Sequence, residues 1–156
     1  MNEPQQQPIF NIEKIYVKDL SLEIPNAPDV FLSGAQPKID VALHHEGAAI
    51  SEGMYHVVLT VTVTAKADEK TLFLVEVAQA GVFQIRNLPE SDLEPFLATA
   101  CPNILYPYAR ETVSDIVSRA GFPAVYLAPL NFDAIYLQRL QQAKEQAAVP
   151  KIEIAH

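Results

Sequence analysis

Between Met54 and Lys66 the chain places Tyr55, Val57, Leu59, Val61 and Val63 on one side and Thr60, Thr62 and Thr64 on the other. That two-residue period, carried by β-branched side chains, describes a strand with one buried face. Such a strand cannot stand alone. It demands a sheet, and the rest of the chain must supply both the neighbouring strands and whatever covers the apolar face.

The neighbours are legible. From Phe10 to Ile24 the even positions Phe10, Ile12, Tyr16, Leu20, Leu22 and Ile24 are apolar, which turns Asp19, Ser21 and Glu23 to water. A segment rich in turn residues follows, with Pro25, Asn26, Pro28, Gly34 and Pro37, and it carries Val30, Phe31 and Leu32. It is too long for a tight hairpin and must cross over something. Ile39, Val41 and Leu43 then alternate in a second strand. After the strand from Met54, the charged turn Asp68-Glu69-Lys70 leads into a fourth. There Phe73, Val75, Val77 and Phe83 share one face, and Leu72, Leu74 and Glu76 the other.

The cover is helical. Ser91-x-x-Glu94 reads as a capping box opening a helix that Pro102 ends. Leu105, Ala109, Thr112, Val113, Ile116 and Ala120 mark a longer helix in which Pro107 is tolerable only in the first turn, and Gly121 with Pro123 closes it. An apolar loop from Phe122 to Leu130 follows, and Asn131 can cap a last helix carrying Ile135, Tyr136, Leu137 and Leu140. Four strands followed by two or three helices predict an α+β layer with helices on one sheet face and water on the other. With 156 residues, 49% of them hydrophobic, the chain suits one domain and is short for two. The expected division is a flexible segment over 1–9, a single domain over 10–141 and a tail over 142–156.

Composition narrows the chemistry. A net charge of -8 with no basic cluster disfavours nucleic acid and suits basic partners. Cys101 is the single cysteine, so no internal disulfide and no cysteine-based zinc site can form within one chain, which fits a reducing compartment. The polar start lacks the order of a signal peptide, and no apolar run reaches membrane-spanning length, so the expected location is the cytoplasm, without membrane insertion. His44, His45, His56 and His156 form no metal or triad pattern, and the five glycines form no phosphate-cradling loop. No catalytic residue, metal or cofactor is assigned, and an enzyme is not expected.

Two constellations remain. Asp19, Glu23 and Glu76 beside Leu74 put negative charge on the water-facing side of the sheet. On spacing alone this is either a solvated face or a docking patch for a basic partner. Phe31, Phe122, Tyr126, Leu127, Leu130, Phe132 and Tyr136 cluster in the crossover and around the last helix, and are either ordinary core or the walls of a groove for extended peptides.

The run Cys101-Pro102-Asn103-Ile104-Leu105-Tyr106-Pro107-Tyr108-Ala109-Arg110-Glu111, then Val117-Ser118-Arg119 and Leu127-Ala128-Pro129-Leu130-Asn131-Phe132-Asp133-Ala134, resembles the signature of the SecB family. Ile15-Tyr16-Val17-Lys18-Asp19, Pro25-Asn26-Ala27-Pro28 and Val61-Thr62-Val63-Thr64-Ala65 extend the resemblance over most of the chain. It implies a four-stranded antiparallel sheet and a homotetramer built as a dimer of dimers. The implied function is that of an ATP-independent chaperone that holds unfolded secretory precursors and delivers them to the SecA ATPase. A SecB-like chaperone or adaptor serving other clients, such as a toxin–antitoxin system, is the alternative. By the same resemblance, Asp19, Glu23, Leu74 and Glu76 would meet the zinc-bearing C-terminal tail of SecA, the zinc belonging to that partner. Phe31, Phe122, Tyr126, Leu127, Leu130, Phe132 and Tyr136 would line the peptide groove. Two positions depart from the family pattern: Ala35 stands where a tryptophan is common, and the tail from Val149 is not the usual acidic, glycine-rich one.

Overall fold

The structure is a computed structural model and describes residues 6–148. The expected tail beyond 148 and the first five residues lie outside this range. Within it the elements run β1 (Ile9–Glu23), β2 (Lys38–Ser51), β3 (Met54–Ala67), β4 (Lys70–Arg86), α1 (Glu90–Arg119) and α2 (Phe132–Ala148), with a 3-10 turn at Asp29–Phe31. The last helix therefore runs past 142, where the tail was expected to begin.

The four strands form one antiparallel sheet in the order β1-β4-β3-β2. Consecutive strands β2, β3 and β4 are joined by two-residue turns. At Asp68 and Glu69 both φ angles are positive, 50° and 65°, the backbone that matches strand twist across a tight hairpin. Strands β1 and β2 occupy opposite edges, so the segment between them has to traverse the end of the sheet. Asn26 fastens it there, donating from Nδ2 to the Thr71 carbonyl at 2.9 Å.

Parity along β1 is not the simple alternation expected. The ladder with β4 skips Glu13 and Lys18, two bulges on an edge strand, where an extra charged residue is cheap to expel. Each bulge inverts the pattern, so Ile15 and Val17 turn to the helix side and Tyr16 to the open side, opposite Ala80. The second inversion restores the original phase, and Asp19, Ser21 and Glu23 emerge on the open face as anticipated.

The core lies between α1 and the inner face of β3 and β4. Val57, Leu59, Val61, Val63, Val75, Val77 and Phe83 are fully buried against Leu105, Ala109, Val113 and Val117. This burial overrides the helix-breaking signals. Pro102 does not end a helix, and Ser91 does not cap one: α1 is continuous for 30 residues, starts after Pro89 with no side-chain cap, and contains Pro95, Pro102 and Pro107. A proline inside a helix costs about 3 kcal/mol through its missing N–H and ring clash. Each large apolar side chain that α1 buries contributes roughly 1.5–3 kcal/mol, and Leu105, Tyr106, Val113 and Val117 together offset the interruptions. Asn131 does cap α2, accepting at Oδ1 from the Ala134 N–H at 3.0 Å.

Candidate functional site

The open face of the sheet carries the acidic residues in register. Glu23 pairs with Leu74, Ser21 with Glu76 and Asp19 with Ala78 across β1 and β4, so Glu76 sits between Asp19 and Glu23 on this face, with the partly exposed Leu74 beside Glu23 and Glu76 at one end of the patch. Asp19, Glu23 and Glu76 are exposed, and the Glu76 carboxylate accepts a 3.1 Å hydrogen bond from Thr62 on β3. Farther along the same face, Tyr16 Oη and His56 Nε2 meet at 2.7 Å with their rings stacked. That pair lies beside the buried Val58 and Ala80, so this end of the open face is partly covered. Tyr16 was expected among the inward residues, and only the bulge at Glu13 brings it here.

The aromatic candidates do not form a single wall. Phe31 and Phe122 touch at 5.1 Å between ring centroids, and Phe122 rests on Phe73 at 4.9 Å, giving an aromatic chain from the core to the surface. Phe31 at its outer end is 48% exposed, and Leu32 beside it is 87% exposed. Gly121 makes this approach possible: its φ is +93°, and a Cβ there would sit 3.2 Å from the Phe31 ring.

Leu127 and Phe132, by contrast, are buried core residues. Phe132 packs edge-on against Tyr106 at 5.8 Å, and the Tyr106 hydroxyl donates to the Ala128 carbonyl at 2.6 Å. These contacts pin the apolar loop to α1. Burial pushes the Tyr106 phenol above its ordinary pKa, an effect that the nearby Arg110 partly opposes. Leu130 is half-buried against the core, while Tyr126 stands almost free over a shallow depression formed with Pro107, Arg110 and Glu111.

Tyr136 faces a different space, a cleft of about 540 Å³ between the start of α1, α2 and β2. Leu93, Leu97 and Leu140 line it, Glu46, Glu90 and Glu94 rim it, and Arg139 reaches across to His45 at 3.3 Å. Burial, then Arg139 and His44, hold the His45 imidazole below its ordinary pKa, consistent with a neutral ring accepting from the guanidinium. This cleft was missed in the sequence. Its apolar residues follow helical spacing in α1 and α2, but nothing in a linear pattern says that these two faces leave a gap between them.

Among the described residues no group of three or more His, Cys, Asp or Glu is placed to hold a metal ion, and no helix is long and apolar enough to cross a membrane. Cys101 is buried, and desolvation pushes its thiol up to about 12.

The comparisons agree with the geometry. Residues 3–143 match the family model described as preprotein translocase subunit SecB. The protein-export protein SecB of Chromobacterium violaceum is 65% identical over 146 residues, covering 92% of this chain and 97% of the relative. That of Dechloromonas aromatica is 61% identical over 148 residues, covering 95% of each. Among solved structures, a SecB-like chaperone of Mycobacterium tuberculosis, in complex with a ChAD peptide from the HigA1 antitoxin, matches with a TM-score of 0.65. At 20% identity, over 78% of this chain and 90% of that one, it supports the fold alone. With the family model spanning nearly the whole domain and relatives this similar end to end, the chain belongs to the SecB family of protein-export chaperones.

Proposed function

We propose that the chain works as an ATP-independent holdase in the cytoplasm, binding unfolded precursors and passing them to SecA. The observation that carries this reading is the aromatic chain Phe73–Phe122–Phe31, anchored in the core and half open to solvent at its outer end. A holder of unfolded chains must bind exposed apolar side chains without reading their sequence, and aromatic surface does that. Phe31, Phe122 and Leu130 form the groove on this reading, with Tyr126 at its margin and Leu127 and Phe132 as the packed floor that keeps the loop in place; Tyr136, in the cleft at the start of α1, lies outside it.

Burying one large apolar side chain of a client gives roughly 1.5–3 kcal/mol, much of which is consumed in ordering a flexible chain. Strong holding therefore needs several grooves acting on one client. Linkage between them raises apparent affinity by about 100-fold to 10,000-fold. A homotetramer, a dimer of dimers, supplies that repetition. Apolar side chains left exposed on the helix side of both edge strands, Val17 and Leu20 on β1 and Ile39 and Val41 on β2, favour further association of this kind.

The open face serves SecA on the same reading, Asp19, Glu23 and Glu76 meeting its basic, zinc-bearing tail with Leu74 as the apolar contact at one end. Clients are export precursors rather than antitoxins, because the relatives with more than half their residues identical are export proteins.

The test is to mix the protein with an unfolded secretory precursor, and separately with its folded form, and to read complex mass by size exclusion with light scattering. A tetramer-sized species that captures the unfolded chain alone is expected, and Phe31→Ala should weaken capture. A protein that captures neither form overturns the holdase reading. In a SecA titration Glu76→Lys should weaken docking and spare precursor capture; unchanged affinity removes Glu76 from the docking site.

A further inference from the structure

Glu76 is not left free to choose its position on the open face. Its direct cross-strand partner on β3 is Thr62, whose hydroxyl donates to Glu76 Oε2 at 3.1 Å. On the opposite side, β1 presents Ser21 across from Glu76, with Asp19 and Glu23 at the two flanking positions that share this face. Diagonal neighbours of this kind have side-chain origins about 7–8 Å apart, within reach of a long side chain. Asp19 and Glu23 repel the Glu76 carboxylate from these two diagonal positions, and an unrestrained Glu76 would spend its time swung away in varied directions. The Thr62 hydroxyl gives that displacement one direction, toward β3, where the charge is spaced from Asp19 and Glu23 and yet remains exposed.

We infer that Thr62 is a positioning residue of the docking patch, fixing the Glu76 carboxylate before a basic partner arrives. It acts through Glu76 and touches no client. Fixing one rotamer-rich side chain in advance removes an ordering cost from association, which corresponds to about a 3-fold to 10-fold gain in affinity. The inference rests on the reading of the open face as the SecA site.

The experiment measures affinity for the zinc-loaded C-terminal tail peptide of SecA by calorimetry. It compares the full chain with Thr62→Val, Thr62→Ser, Glu76→Gln, Glu76→Ala and the double variant Thr62→Val with Glu76→Ala. Valine keeps the β-branched shape that suits a strand and removes only the donor. Thr62→Val should weaken binding about 3-fold to 10-fold, Thr62→Ser should restore it, and Thr62→Val should cost nothing further once position 76 is alanine and has no acceptor. Unfolding midpoints are measured in parallel. If Thr62→Val binds as the parent does while Glu76→Gln binds more weakly, the positioning role is overturned and the docking site survives. If Thr62→Val costs as much with alanine at 76 as with glutamate, or if its loss follows a lowered midpoint and serine fails to rescue it, the role is likewise overturned. If Glu76→Gln itself leaves affinity unchanged, Glu76 leaves the docking site and the role of Thr62 falls with it.

Discussion

Replacing Gly81 with alanine should destabilise the protein although the new side chain is a single methyl in a strand. Gly81 lies in β4 directly opposite Val57, facing α1, and the Phe83 ring folds back over it. A Cβ at this position would sit 2.7 Å from Cε2 and Cζ of Phe83 and 3.1 Å from a methyl of Leu105. Carbon atoms rest at about 3.5–4.0 Å, so the ring has to retreat by roughly 1 Å. It has little room to do so, because Phe83 is fully buried and stacked on Phe10 at 5.7 Å. Overpacking of this kind costs about 1–3 kcal/mol, and the reduced entropy of the unfolded chain returns about 0.4–1 kcal/mol. The net expectation is a loss of about 1–2 kcal/mol, a fall in Tm of about 2–8 °C for a chain of this length. Urea and thermal unfolding at one fixed protein concentration measure it, since association makes midpoints depend on concentration. Phe83→Leu shortens the obstructing ring, so Gly81→Ala should cost less in that background than in the parent. A Gly81→Ala protein as stable as the parent, or costs that simply add, would refute the argument that the ring and not the backbone reserves this glycine.

Two further outcomes follow from shifted titrations. Cys101, with its thiol pushed up to about 12 by burial, should resist a thiol-specific reagent in the folded protein and react once urea unfolds it; fast native labelling would contradict the buried placement. His45 is held below its ordinary pKa by burial, Arg139 and His44, so the unfolded chain takes up this proton at a higher pH than the folded one. The stability tied to the neutral ring is therefore complete above the unfolded value of about 6.5 and is lost as pH falls from there through the folded value. Unfolding across this window should show a shallower acid loss for His45→Gln than for the parent, and identical slopes would remove His45 from the balance.

The sequence by itself determined the strands whose two faces differ most. In β3 and β4 the alternation of Val57, Leu59, Val61 and Val63 with threonines, and of Phe73, Val75 and Val77 with Leu74 and Glu76, leaves one register that buries the apolar set, because a slip of one residue would expose all of it. The acidic face was legible for the same reason, and the turn at Asp68 and Glu69 was legible from its charge. Tertiary structure decided the features that depend on what a segment packs against. Three prolines in α1 read as breaks until the sheet beneath them compensates, and no local pattern carries that contact energy. The bulges in β1 leave no local signature, since Glu13 and Lys18 are ordinary charged residues, yet they decide that Tyr16 joins the open face. The aromatic loop was ambiguous between core and groove because burial there is set by distant partners. Leu127 and Phe132 are core, packed in the loop that Tyr106 pins, while Phe31 and Phe122 reach solvent because Gly121 lets two segments nearly a hundred residues apart come together. Periodicity records which face of an element is apolar; only the assembled chain determines how completely that face is covered.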